Sequence, residues 1–197
     1  QDMALDIVDC LKDKEHIAVE AGVGIGKSFG YLIPLSYLHK EIERPIAIST
    51  STIALQEQLA DDIEEVSRMT GHKMEVVLAK GQTHFLCKRR ASEYSQDDKI
   101  IRLSKSGYAE RKDISVSIDN VTWNKINVQY NFKDCNLCKF KQGCHYFNLR
   151  VRMYNTKGLI LCNHDLLIAH LKKVHSNQRL LLNGDITVRV IDEAHNL

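Results

Sequence analysis

The stretch "VEAGVGIGKSFG", residues 19–30, sets four glycines around one lysine and one serine. Counting back from Lys27 gives Ala21, four residues, Gly26, Lys27 and Ser28, the spacing of a phosphate-binding loop with Ala in place of the first Gly. Bare backbone at Gly22, Gly24 and Gly26, with Val23 and Ile25 between them, lets N–H groups turn inward toward phosphate oxygens. The helix expected to follow adds the positive end of its dipole. In such a loop Lys27 reaches the terminal phosphates of ATP, and the Ser28 hydroxyl ligates Mg²⁺. The competing reading is a glycine-rich turn with an incidental lysine. Placement between a strand and a helix argues against it.

The flanking sequence supplies that placement. Residues 16–22, "HIAVEAG", read as a short buried strand, and residues 27–42 as a helix that Pro34 should kink or shift. Residues 3–12, "MALDIVDCLK", have helical spacing. Downstream, "RPIAIST" (44–50) is β-rich, with Pro45 at its start, where a missing N–H is tolerated. "TIALQEQLADDIEEVSRM" (52–69) is an amphipathic helix, and "MEVVLAKG" (74–81) a further strand. The pattern then breaks and resumes as a helix over 145–155, a strand over 158–164, a helix over 165–175 and a strand over 186–192. This alternation predicts an α/β fold with a parallel sheet and flanking helices. The expected organisation is a body of residues 1–82 and 147–197, interrupted by an insert of residues 83–146.

The last strand ends in "VRVIDEAH". A carboxylate at the C-terminal tip of a buried parallel strand faces the crevice where ligands bind in such sheets. Asp192 is therefore expected to hold Mg²⁺, and Glu193 to orient or deprotonate the attacking water. Acids at the start of a helix are the plainer alternative. His195 reads as a coupling residue rather than a metal ligand.

Cys87, Cys135, Cys138 and Cys144 follow the pattern C-x47-C-x2-C-x5-C. Four such thiols can surround one zinc ion or one iron–sulfur cluster, and spacing alone does not separate the two. His84 and His145 lie near enough in sequence to substitute as ligands but read as surface or packing residues. Cys10 and Cys162 read as core thiols. The same region is basic. Residues 87–152 hold 14 Lys and Arg against 7 Asp and Glu, whereas the formal charge of the whole chain is only +2. That concentration is the footprint of a polyanion partner. Lys88, Arg89 and Arg90 are candidate phosphate contacts, and Tyr94, Tyr108, Trp123 and Tyr130 candidate stacking platforms for unpaired bases. The remainder of the insert reads as polar, with little core of its own. No apolar run is long enough to span a membrane, and no signal peptide is visible. The absence of an initiator Met suggests a fragment.

In order, "EAGVGIGKS" (20–28), "STSTIALQEQL" (49–59), "LAKGQTHFLCKRR" (78–90), "CNLCKFKQGCHYF" (135–147), "LILCNHDLLIAHL" (159–171) and "VIDEAHNL" (190–197) carry a resemblance. The chain resembles the N-terminal part of the DinG/XPD-like iron–sulfur DNA helicases, a branch of helicase superfamily two. The resemblance implies a RecA-like first motor domain interrupted by a small iron–sulfur domain. It implies ATP and Mg²⁺ at the phosphate loop and a [4Fe–4S] cluster on the four cysteines. The implied activity is ATP-driven translocation on single-stranded DNA and unwinding of forked duplexes, 5′ to 3′, by an intracellular monomer. The cytoplasm is the preferred location, or the nucleus in a eukaryote. Ser49, Thr50, Ser51, Thr52 and Gln56 fall in the segment that looks like the family's single-strand-contacting motif, and Gln1 falls near its adenine-reading glutamine. The alternative is a helicase-like nucleic-acid-binding module with a zinc site and no productive unwinding.

Overall fold

Ile46, Ala47 and Ile48 are completely buried, and the sheet is built on either side of them. The structure, a computed structural model, describes residues 2–22, 26–94, 97–105, 110–114, 117–178 and 180–197. Gln1, Val23, Gly24, Ile25 and Tyr108 lie outside the described residues. The chain divides into two compact units, residues 1–79 with 155–197, and residues 80–154.

The first unit carries a four-stranded parallel sheet in the order β2-β3-β1-β4. The strands are β1 (Ile46–Thr50), β2 (Val76–Leu78), β3 (Leu159–Asn163) and β4 (Val188–Ile191). Ile48 of β1 aligns with Leu161 of β3 on one side and Val190 of β4 on the other. The central strands are β-branched and leucine-rich because both faces are covered. Around them are α1 (Asp2–Asp13), α2 (Lys27–Ile42), α3 (Ile53–Thr70) and α9 (His164–His175). Leu32, Leu35, Ile63, Leu159 and Leu161 fill one core, each stabilising the fold by roughly 1.5–3 kcal/mol. Met3, Ile7 and Leu11 of α1, one turn apart, pack on its edge. At Gly158 the chain entering β3 passes so close to Glu75 that an added Cβ would lie 2.3 Å from its carbonyl oxygen.

Two expectations, on residues 16–22 and on Cys10, are corrected here. Residues 15–22 form no strand: Ile17 and Val19 stay exposed, and an apolar run needs a paired neighbour to hold it extended. Pro34 lies inside α2, which runs on through it to Ile42. Cys10 is not a core thiol. It sits on α1, where no residue is fully buried, and its Sγ donates to the Glu15 carbonyl oxygen at 3.0 Å. Cys162, on β3, is completely buried as expected.

The second unit is mostly helical, with α4 (Lys88–Ala91), α5 (Asp98–Lys105), α6 (Asn120–Ile126), α7 (Phe132–Asn136) and α8 (His145–Asn155). It has more core than its polar composition suggests. Leu86, Ile100, Leu103, Trp123 and Ile126 form one apolar cluster, and Phe85, Cys87, Val128 and Tyr146 another. Antiparallel bridges pair Phe85 with Glu110 and Leu86 with Asn127, which fixes the backbone leading into Cys87. Among the described residues no helix is long and apolar enough to cross a membrane.

Candidate active site and four-cysteine cavity

Two elements distant in sequence build the first site. Helix α2 begins at Lys27, immediately after Gly26, whose φ of 78° lies in the left-handed region that glycine adopts without strain. Strand β4 delivers Asp192 and Glu193 at its C-terminal end, where the Asp192 N–H donates to the Ser49 carbonyl oxygen at 2.9 Å. Lys27 Nζ donates to Glu193 Oε1 at 2.9 Å. The Tyr31 hydroxyl donates to Asp192 Oδ2 at 3.2 Å. His195 Nε2 lies 3.3 Å from Glu193 Oε2, so Glu193 stands between the lysine and the imidazole.

The electrostatics follow from these contacts. The hydrogen bond from Lys27, then its charge, holds the Glu193 carboxyl below its ordinary range. The same hydrogen bond raises the Lys27 ammonium. Tyr31 is raised by burial first and by the Asp192 charge second, so its phenol stays protonated and able to donate. Glu193 itself adopts φ 55°, ψ 44°, a left-handed conformation that a β-carbon disfavours. Of the expected phosphate-loop residues, Ala21, Gly22, Gly26, Lys27 and Ser28 are described, and Lys27 is brought to the acid pair. Ser28 follows it in the first turn of α2. A lysine, a serine hydroxyl and two carboxylates suit a magnesium-bound polyphosphate.

Next to the acids, the end of β1 and the segment that follows it are bound into the fold. Ser49 Oγ lies 3.1 Å from the buried His164 Nδ1. Thr50 Oγ1 donates to the Thr52 carbonyl oxygen. Gln56 Nε2 donates to the Ala79 and Leu161 carbonyl oxygens, bolting α3 onto the sheet. Ser49, Thr50 and Gln56 are all buried, whereas Thr52 is exposed and caps α3 by accepting from the Leu55 N–H. Ser51 is partly exposed.

In the second unit the four sequence-predicted cysteines line one cavity together with Val128, Tyr130 and Phe140. Three of them are set by successive turns, in which the N–H groups of Cys138, Lys141 and Cys144 donate to the carbonyl oxygens of Cys135, Cys138 and Lys141. Cys87 comes from a separate segment, fixed by its N–H donating to the Ile126 carbonyl oxygen at 2.7 Å. Burial, then neighbouring thiols, pushes Cys135 up to about 11 and raises Cys87. The Phe140 N–H donates to Cys138 Sγ at 3.4 Å, a contact that stabilises a thiolate. Among the described residues, no group of three or more His, Cys, Asp or Glu side chains is placed to hold a metal ion. The cavity, about 40 Å³, exceeds the roughly 10–15 Å³ that admits one water.

The remaining predicted contacts divide by environment. Lys88 and Arg89 are exposed, with the Arg89 guanidinium 4.5 Å from the centre of the Tyr130 ring. Arg90 is engaged internally, donating to the carbonyl oxygens of Asn124 and Lys125 and to Gln129 Oε1. Trp123 is 3% exposed, and its Nε1 donates to the Thr83 carbonyl oxygen. That burial corrects its reading as a base-stacking platform. Sequence reasoning passed over Tyr31 and His164. Tyr31 could have been found, because it lies four residues after Lys27 and so on the same helical face.

No protein-family model matches the chain. It is 27% identical over 99% of its length to the probable ATP-dependent helicase YpvA of Bacillus subtilis, covering 34% of that protein. It is 24% identical over 98% of its length to the 3'-5' exonuclease DinG of the same organism, covering 22% of it. It is 26% identical over its full length to the ATP-dependent helicase DinG of Mycobacterium tuberculosis, covering 34%. The chain thus spans about a third or less of these relatives. Along nearly its whole length the chain is similar to these proteins, two of which are named as ATP-dependent helicases.

Proposed function

We propose that the chain is the first motor domain of an ATP-dependent DNA helicase, coupling ATP hydrolysis to 5′ to 3′ movement on single-stranded DNA and unwinding of forked duplexes. The observation that carries this reading is the 2.9 Å contact between Lys27 and Glu193, 166 residues apart, at the end of a parallel strand. Lys27 neutralises charge on the terminal phosphate oxygens, and Glu193 takes the proton of the attacking water. Ser28 and Asp192 would hold Mg²⁺, which would screen the phosphate charge when bound. His195, in contact with Glu193, passes the state of the site onward.

The cavity of Cys87, Cys135, Cys138 and Cys144 is the proposed seat of a [4Fe–4S] cluster. The four cysteines that line it are the donor set such a cluster takes. Bound there, the cluster supplies a rigid crosslink between the Cys87 segment and the turns from Cys135 to Cys144. Single-stranded DNA is proposed to contact Ser51, Thr52 and the start of α3, and, on the second unit, Lys88 and Arg89. Ser49, Thr50, Gln56 and Arg90 support those surfaces from behind. The protein is proposed to act as an intracellular monomer. Lys27→Ala, assayed by binding of a fluorescent ATP analogue and by phosphate release with single-stranded DNA, tests the central claim. Loss of both supports it, and DNA-stimulated turnover at the unmodified rate refutes it.

A further inference from the structure

Tyr31 is 4% exposed and belongs to the main core with Leu32 and Leu35. A phenylalanine would fill the same space. The tyrosine instead carries a hydroxyl into a buried setting, where a phenol must find a partner. That partner is Asp192 Oδ2, at 3.2 Å. Asp192 is thereby held twice, through its backbone N–H by the Ser49 carbonyl oxygen and through its carboxylate by the phenol. Lys27, Ser28 and Tyr31 occupy one end of a single helix, so the helix that presents the lysine and the serine also presents the group that orients the opposing carboxylate.

We infer that Tyr31 is a positioning residue for the divalent cation, fixing the Asp192 carboxylate through the hydroxyl that donates to it. The inference rests on the nucleotide reading above and adds to it a residue outside the phosphate loop and the acid pair. A carboxylate free to rotate must be ordered when it takes up a cation, and a fixed donor removes that cost in advance. An ordinary phenol, with a pKa of about 10, is protonated at neutral pH and so can donate.

Tyr31→Phe keeps the ring and removes the hydroxyl alone. Binding of a fluorescent, non-hydrolysable ATP analogue to the purified chain is followed while Mg²⁺ is titrated in. The half-saturating Mg²⁺ concentration should rise about tenfold, the lower end of the loss seen when a metal ligand's outer-shell partner is removed. Affinity for the analogue in EDTA and the melting profile should not move. In the Asp192→Asn background, the same change should have no further effect on the Mg²⁺ requirement. A Tyr31→Phe protein that titrates like the parent, or one whose effect persists without the Asp192 carboxylate, overturns the role of Tyr31 and leaves the nucleotide reading standing. A parent chain whose analogue binding is indifferent to Mg²⁺ overturns both.

Discussion

Lys27 Nζ and Glu193 Oε1 lie 2.9 Å apart, so the residue expected to meet phosphate is already paired with the residue expected to activate water. Glu193 is held below its ordinary 4.5, so the pair is lost only as pH falls through that lowered value. Lys27 is raised above 10.5, so it stays charged until pH climbs beyond that. The pair is closed throughout the neutral range, and nucleotide must displace it. Glu193→Gln should therefore bind an ATP analogue several-fold more tightly while turnover falls by roughly 10²–10⁴, the usual contribution of a general base. Weaker binding in that variant would show that Glu193 does not compete for the lysine.

The cavity makes a second prediction, in iron. Protein purified without oxygen should be brown and carry iron and acid-labile sulfide near four of each per chain. Replacing any one of Cys87, Cys135, Cys138 or Cys144 by serine should release the metal. Nucleotide binding should survive, because Lys27 and the acids belong to the other compact unit. Colourless protein with one zinc per chain sinks the cluster.

Neighbouring cations in "CKRR" should behave differently from one another. Arg90 makes three hydrogen bonds of 2.7–2.8 Å, two of them to carbonyl oxygens near the C-terminal end of α6. Those carbonyls have no helical partner, and a cation there also favours the dipole. Arg90→Ala should cost about 1–2 kcal/mol of unfolding free energy, less than full charged-group values because the site is partly open to solvent. The pair Lys88→Ala and Arg89→Ala should leave stability alone and reduce the log–log salt slope of single-strand binding by about 1.4, near 0.7 per phosphate contact. Equal effects of the two variants on melting and on salt slope would erase the distinction.

What the sequence conveyed best was the alternation of β1, α3, β2, β3, α9 and β4, where apolar periodicity and burial agree. It conveyed least where neighbours decide. "HIAVEAG" has strand composition but no pairing partner, and composition cannot report one. Ser49, Thr50 and Gln56 look like exposed polar groups in sequence, yet the carbonyl oxygens and the imidazole that bury them come from residues as distant as Leu161 and His164. Trp123 reads as a stacking surface in a basic segment because the cluster of Leu86, Ile100 and Ile126 that covers it is assembled from scattered positions. The acid pair and the four cysteines were legible because their chemistry lies in residue type and order.

The two cysteines outside the cavity give the last prediction. Cys162 is completely buried on β3, and burial pushes its thiol up to about 12 from an ordinary 9.0. The folded state therefore keeps a proton that the unfolded chain gives up. Stability drawn from this group is intact below pH 9 and declines as pH rises toward 12. Cys10, on the rim helix α1, has its Sγ against the exposed Glu15 carbonyl. With iodoacetamide at pH 8 the thiolate is the reacting form, so burial and a raised proton affinity both protect Cys162, whereas Cys10 is only partly covered. Peptide mass analysis should find Cys10 alkylated early, and Cys162 modified only at the rate of global opening, accelerating with denaturant. Replacement of Cys162 by alanine should also flatten the loss of stability between pH 9 and pH 11. Labelling of Cys162 in native protein as fast as Cys10 would mean that β3 is not the closed centre of the sheet.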